Sequence, residues 1–218
     1  MAKILTLFLT LCFLDLAAQT QPQLKGGLAA FVANNKVYPG YSMHNCIEGT
    51  VTISFKLNQK GEVYYSKIRT GMGTDLDDEA LRLIRLSSGK WQVPAGHDTT
   101  VSLVAPIKFT LEGYNCGDKN QAEIRQAIAA YRSNEGATNT ILNFYRNKEA
   151  GTFKEGEEPR ILALKKELGY DDVYLQERVD DGLKKVKQKD MQGACEDFRF
   201  VKYMGSDLAN EALAKYCQ

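Results

Sequence analysis

The rhythm of hydrophobic and polar positions changes near residue 118. Before it the pattern is mostly that of strands. Val51, Ile53, Phe55 and Leu57 alternate with Thr52, Ser54 and Lys56, the period of two of a half-buried strand. Asn58-Gln59-Lys60-Gly61 supplies a turn, and Glu62–Arg69 returns as a second strand, so the pair predicts a hairpin. The return strand alternates less regularly, with Tyr64 and Tyr65 adjacent. A helix follows. Thr74 or Asp75 caps it, Asp77, Asp78 and Glu79 sit in its first turn, and Leu76, Ala80, Leu83 and Ile84 share one face. After a turn at Lys90–Gly96 comes a third strand, Val101–Leu111, with Leu103, Ala105, Ile107, Phe109 and Leu111 on one side. Pro106 lies in its middle and cannot donate a ladder hydrogen bond, which places this strand at an edge or a bulge.

The turn-forming run Gly113–Asp118 breaks the pattern, and helical spacing takes over. Gln121–Arg132, Thr140–Lys148, Arg160–Leu168 and Val173–Lys187 read as separate helices, with 151–158 a polar loop. Gln192–Tyr203 and Leu208–Tyr216 close the chain as a helical hairpin turning near Gly205-Ser206. The fold class is therefore α+β: a small sheet with a helix on one face at 24–113, then an all-α segment at 120–218.

Met1–Gln19 stands apart. Lys3, the apolar run Ile4–Leu14 and the small residues Ala17-Ala18 read as a secretory signal, cleaved near Ala18 or Gln19. The run is shorter than the ~20 apolar residues a bilayer span needs. A periplasmic location is expected, with an uncleaved inner-membrane anchor as the alternative. Export bears on the cysteines. Without Cys12 there remain Cys46, Cys116, Cys195 and Cys217, an even set in an oxidising compartment, and none of their spacings is a metal or redox pair. Structural disulfides are the reading, with three connectivities open.

Composition narrows the chemistry. The 218 residues carry Lys+Arg 28 against Asp+Glu 27, so no net positive field favours nucleic acid. Lys184–Lys189 is locally basic, but Asp180, Asp181 and Asp190 flank it and it reads as a solvated face. Two His in the whole chain exclude a His-rich metal site. The trio Asp77, Asp78 and Glu79 points in different directions around a helix, which suits a first turn better than a metal site. His44 and Cys46 are the sharpest hint of a nucleophile pair, but a disulfide is the better use of that cysteine. No phosphate loop, HExxH or GxSxG is present. Trp91 and the scattered tyrosines read as core or boundary packing. Neither an enzyme nor a cofactor is expected.

Residues 28–111 resemble the C-terminal domain of the TonB family of periplasmic energy transducers. The resemblance rests on Val37-Tyr38-Pro39, Ile47–Val51, the alternating strand to Leu57 with Gly61 in the turn, Leu76–Arg82, Trp91 and Pro106-Ile107-Lys108-Phe109, in that order and spacing. It implies a three-stranded antiparallel sheet against a helix. It also implies binding of an outer-membrane receptor peptide, or another envelope protein, by strand addition, with a link to TonB-dependent transport. Family transducers also have a membrane helix and a long proline-rich span, whereas this chain has five Pro in all. What carries over is the peptide-binding fold. The segment Asp190–Phe198 and the helix after it resemble degenerate tetratricopeptide or Sel1-type repeats, which implies a second protein-binding surface.

With the family's strand order, the third strand pairs with the first and is an edge. The peptide is then expected on Val101, Ser102, Val104 and Pro106, with the Gly40–Asn45 loop after Tyr38-Pro39, including Met43, beside it. The same order brings Cys46, ahead of the first strand, beside Cys116, after the third. In the C-terminal helical hairpin, Cys195 and Cys217 lie about equally far from the turn and are expected to pair. The rival role is an assembly component of the envelope, pairing through the sheet edge as a homodimer or through the helical tail.

Overall fold

The computed structural model describes residues 21–217. The signal-sequence reading of residues 1–19, and Cys12 with it, lies outside them.

In chain order the first half has β1 (Gln23–Leu24), α1 (Leu28–Asn35), α2 (Gly40–His44), β2 (Gly49–Leu57), β3 (Val63–Thr70), α3 (Asp75–Leu86), β4 (Trp91–Gln92) and β5 (Leu103–Phe109). The main sheet has the order β3-β2-β5, antiparallel throughout. β2 is central, and its alternation places Val51, Ile53, Phe55 and Leu57 on the buried face. They meet Leu76, Ala80, Leu83 and Ile84 of α3 and Ala105, Ile107 and Phe109 of β5 in one core. Burying each of the Val, Leu, Ile and Phe side chains contributes roughly 1.5–3 kcal/mol. At the hairpin, Gly61 has φ of 75°, and a Cβ there would run into the Trp91 carbonyl, so the turn needs glycine on both counts.

Four features of this half differ from the sequence reading. Leu28–Asn35 is a helix; its apolar run is continuous rather than spaced, and none of its residues is buried, so periodicity gives no sign of it. Gly40–His44, expected as loop, is a short helix. The third strand is two residues shorter at each end than expected, so Val101 and Ser102 precede it. β1 and β4 form a second, two-stranded sheet.

The second half has α4 (Gln121–Glu149), α5 (Glu158–Glu167), α6 (Asp172–Lys187), α7 (Met191–Tyr203) and α8 (Asn210–Tyr216). α4 begins with a full capping box: the Asn120 side chain accepts from Ala122 and Glu123 N–H, and the Glu123 side chain accepts from Asn120 N–H. It is one helix of 29 residues where the sequence suggested two. Ile124, Ala127 and Ile128 pack on the first core, and Ile141 and Phe144 belong to the second. Between them the helix crosses from one core to the other, so its apolar period lapses and Ser133–Gly136 reads as a break.

The second core joins Ile161, Leu175, Val179, Ala194, Phe198, Val201 and Met204. α6 and α7 approach closely at Gly182, where any Cβ would strike the Phe198 ring. Both expected disulfides are present, Cys46–Cys116 with Cα atoms 5.7 Å apart and Cys195–Cys217 with 5.6 Å. Cys195–Cys217 closes a loop with a sequence separation of 22. A Cys195→Ser/Cys217→Ser variant should lose about 3 kcal/mol of unfolding free energy in the chain-entropy account. Chemical denaturation measures this, and an unchanged midpoint would refute it.

Candidate functional site

The two side strands of the main sheet end differently. On β3, the carboxamide of Gln192, at the start of α7, takes the place of a neighbouring strand. Ser66 N–H donates to Gln192 Oε1 at 2.8 Å, and Gln192 Nε2 donates to the Ser66 carbonyl at 2.7 Å. A hydrogen-bonded pair in an antiparallel ladder makes the same two bonds. The amide is held in place by others. Its Nε2 also donates to Glu196 Oε1 at 3.0 Å. Arg85, only 9% exposed, donates through Nε to Ser66 Oγ at 2.9 Å and through both Nη atoms to Glu196 at 2.8 Å. Asp190 Oδ1 lies 4.0 Å from the same guanidinium.

These bonds fix the phase of the whole sheet. Residues directly opposite in an antiparallel pair aim their peptide groups either both at each other or both away. Ser66 aims outward at Gln192, so its partner Phe55 aims away from β3, toward β5. Phe55 is paired with Leu103, and the β2–β5 register runs without a shift from Phe55–Leu103 to Gly49–Phe109. Leu103, Ala105, Ile107 and Phe109 therefore turn their N–H and C=O groups to β2. Val104, Pro106 and Lys108 turn theirs away from the sheet. The absent N–H of Pro106 falls on that outer side and costs the ladder nothing, which is why proline is tolerated here.

Among the described residues no strand lies beside the outer side of β5. A groove of about 1280 Å³ runs along its first half. Leu24, Phe55, Trp91, Leu103 and Ala105 are among its apolar lining, and the segments 21–28 and 94–98 wall it. Val101, Ser102 and Val104 all lie in it, and Val104 is 46% exposed. The other expected contact residues are elsewhere. Tyr38 stands against Phe109 at the far end of β5, with ring centroids 5.9 Å apart, and its hydroxyl donates to the Ile47 carbonyl at 2.6 Å. Burial, reinforced by Glu48 and Asp75, pushes that phenol up to about 12, so it stays a donor. Pro39 lines a separate charged cleft with Asp78, Arg82, Arg178 and Lys185. Met43 lies on α2, half-buried. The structure thus gathers Val101, Ser102 and Val104 in one groove, with Pro106 next along the edge, and leaves Tyr38, Pro39 and Met43 outside it.

The acidic residues of α3 have separate tasks. Asp77 accepts from Met72 and Gly73 N–H at 2.7 and 2.8 Å, and Glu79 accepts from Val37 N–H at 2.8 Å and pairs with Arg82. The Asp75 carboxylate accepts from Tyr41 N–H at 3.0 Å and from the Ser42 hydroxyl. The sulfur of Cys46 is bonded to Cys116, and the Trp91 ring packs 5.1 Å from Phe55 with its N–H donated to Ser87 Oγ. Asp197, 1% exposed, is ion-paired with Arg178 at 2.9 Å and Lys185 at 2.6 Å. Among the described residues no cluster of His, Cys, Asp and Glu has the makings of a metal site.

Gln192, Arg85 and Glu196 were not singled out by sequence reasoning. Arg85 falls off the apolar stripe of its helix and reads as solvent-facing. Ser66 of β3, Asp190 at the cap of α7 and Glu196 of α7 close around its guanidinium.

The family model of the Gram-negative bacterial TonB protein C-terminal region matches residues 34–111. That stretch contains the main sheet and α3. Domains of this family are protein-interaction modules of the cell envelope that work with outer-membrane proteins. No curated protein and no solved structure matches the chain.

Asp190 caps α7, accepting from Gly193 N–H at 2.8 Å. Burial pushes its carboxyl up from the ordinary aspartate range, against the opposing pull of that bond and of Arg85. A group whose folded-state pKa is raised favours folding below its unfolded pKa. That contribution is lost as pH rises through the folded pKa. Asp190→Asn keeps a capping oxygen and removes the buried charge. Its melting temperature relative to the parent should therefore rise with pH across the acidic range and stay higher at pH 7. A variant less stable at pH 7 than at pH 3, relative to the parent, would contradict this.

Proposed function

We propose that this protein is a periplasmic peptide-binding module of the TonB C-terminal type. It takes an extended segment of an outer-membrane receptor, or of another envelope protein, as a fourth strand beside β5. The observation that carries the reading is the asymmetry of the sheet: the chain's own Gln192 occupies the β3 edge, whereas the β5 edge faces a groove. The family match over residues 34–111 and the two disulfides, which suit an oxidising compartment, support the same setting.

On this reading the backbone of β5 supplies affinity. Val104 offers an N–H and a C=O, Pro106 a C=O alone, and Lys108 again both. The guest strand loses one bond opposite Pro106. Side chains of the guest on the α3 side of the sheet enter the groove against Leu24 and Trp91, and the groove ends before Pro106. Contact is accordingly concentrated on Val101–Ala105. The sheet-and-helix unit of residues 24–113 then serves as the recognition domain. The helices of 120–218 form an accessory domain offering a second protein-binding surface of repeat type.

Val104→Pro is the test. It removes one outward N–H and leaves the β2–β5 ladder whole, because the ladder bonds belong to the odd-numbered residues. Binding of a synthetic peptide from an outer-membrane receptor of the same cell, followed by calorimetry, should weaken about 3–10-fold, the worth of one hydrogen bond. Val104→Thr, which keeps the N–H, should bind like the parent. Equal binding by Val104→Pro and the parent would overturn the edge reading.

A further inference from the structure

β3 has the character of a strand that ought to pair. It is eight residues long, and Tyr64, Tyr65 and Ile68 are all more than a third exposed along it. Long side strands rich in apolar residues invite pairing with another chain unless something covers them. Here the cover is small: one carboxamide on the outward peptide groups of Ser66, held by Glu196 and through it by Arg85, and at the start of the strand the Ser88 hydroxyl, which accepts from Val63 N–H at 2.9 Å.

β3 is also self-complementary. Laid antiparallel against its own copy about Ser66, it sets Ser66 opposite Ser66 of the second copy, as a pair exchanging both backbone bonds. These are the two bonds that Gln192 now makes. The neighbours then fall Tyr64 opposite Ile68 and Tyr65 opposite Lys67, an aromatic–aliphatic pair and an aromatic–cation pair, each occurring twice by symmetry. Such cross-strand pairs are favourable, and no like charges face one another. Tyr65 already accepts a lysine within its own sheet, with Lys56 Nζ 5.8 Å from the ring centroid.

We infer that β3 is a latent self-association edge and that Gln192, latched by the Arg85–Glu196 pair, is the strand-mimicking plug that keeps it from a second copy of this chain. The helical half thereby guards one edge of the sheet while the other stays open. For β3 to pair, α7 has to leave its seat, so the latch and the plug act together. Pairing through β3 also leaves β5 untouched, which separates this inference from the peptide reading.

The experiment is sedimentation velocity on the full chain over a wide concentration range. The parent should stay monomeric where Gln192→Ala/Glu196→Ala forms a dimer at least about tenfold more tightly. Adding Ile68→Asp, which sets a carboxylate against the electron-rich ring of Tyr64 of the second copy, should return the double variant to monomer. Adding Val104→Pro instead should leave the dimer intact. A double variant that stays monomeric overturns the inference, and so does a dimer dissolved by Val104→Pro but not by Ile68→Asp. Should the double variant fail to fold, Gln192→Ala alone carries the test by amide exchange. The Ser66 N–H should exchange about tenfold faster than in the parent, and unchanged exchange shows that Gln192 is no plug.

Discussion

A side strand leaves half of its peptide groups without a ladder partner, and the rest of this structure is arranged around how two such strands meet that constraint. On β3 the two central groups, the N–H and C=O of Ser66, are satisfied by a side chain 126 positions away in the sequence. On β5 the outward groups belong to Val104, Pro106 and Lys108, and those of Val104 face a groove. Because every strand in the sheet is in register with its neighbour across Ser66, Phe55 and Leu103, the first fact fixes the second. The side chain that closes one edge thus reports which backbone groups are offered at the other.

The closure depends on how the two halves are joined. α4 begins against the first core through Ile124 and Ile128, donates from Arg132 Nη2 to the Met72 carbonyl at 2.8 Å, and ends in the second core. Tyr41 adds a bond from its hydroxyl to the Ala127 carbonyl at 2.7 Å. These contacts bring α7 to β3. Arg85 makes that seat specific. A guanidinium so little exposed needs its partners, and removing one would leave a charge poorly solvated. The Cys46–Cys116 bridge ties the approach to β2 to the segment that follows β5, and so pins the open edge at its far end.

Much of this was legible in the sequence. Period-two alternation located β2, the i, i+4, i+7 and i+8 spacing located the buried face of α3, and Pro106 marked an edge strand. The pairing of Cys195 with Cys217 followed from equal distances to a helical turn. What stayed hidden is non-local. α1 buries no residue, so it leaves no periodic trace. α4 reads as two helices because Ser133–Gly136, between its two cores, is exposed and carries no apolar spacing. Gln192 carries no local signal at all, since a carboxamide that replaces a strand needs only the right place in space. Tyr38, Pro39 and Met43 were grouped with the β5 contacts by resemblance. The fold instead sets Tyr38 at the end of β5 away from the groove and gives Gly40–His44 a helical turn of its own.

The claim that one edge is closed and the other open can be read residue by residue from backbone amide exchange in the unbound full chain. The account predicts slow exchange at Ser66, whose outward N–H is bonded to Gln192, and fast exchange at Val104 and Lys108. Those two amides should then become protected when a receptor peptide is added. Fast exchange at Ser66, slow exchange at Val104 and Lys108 before any peptide is present, or new protection confined to residues away from β5, would contradict it.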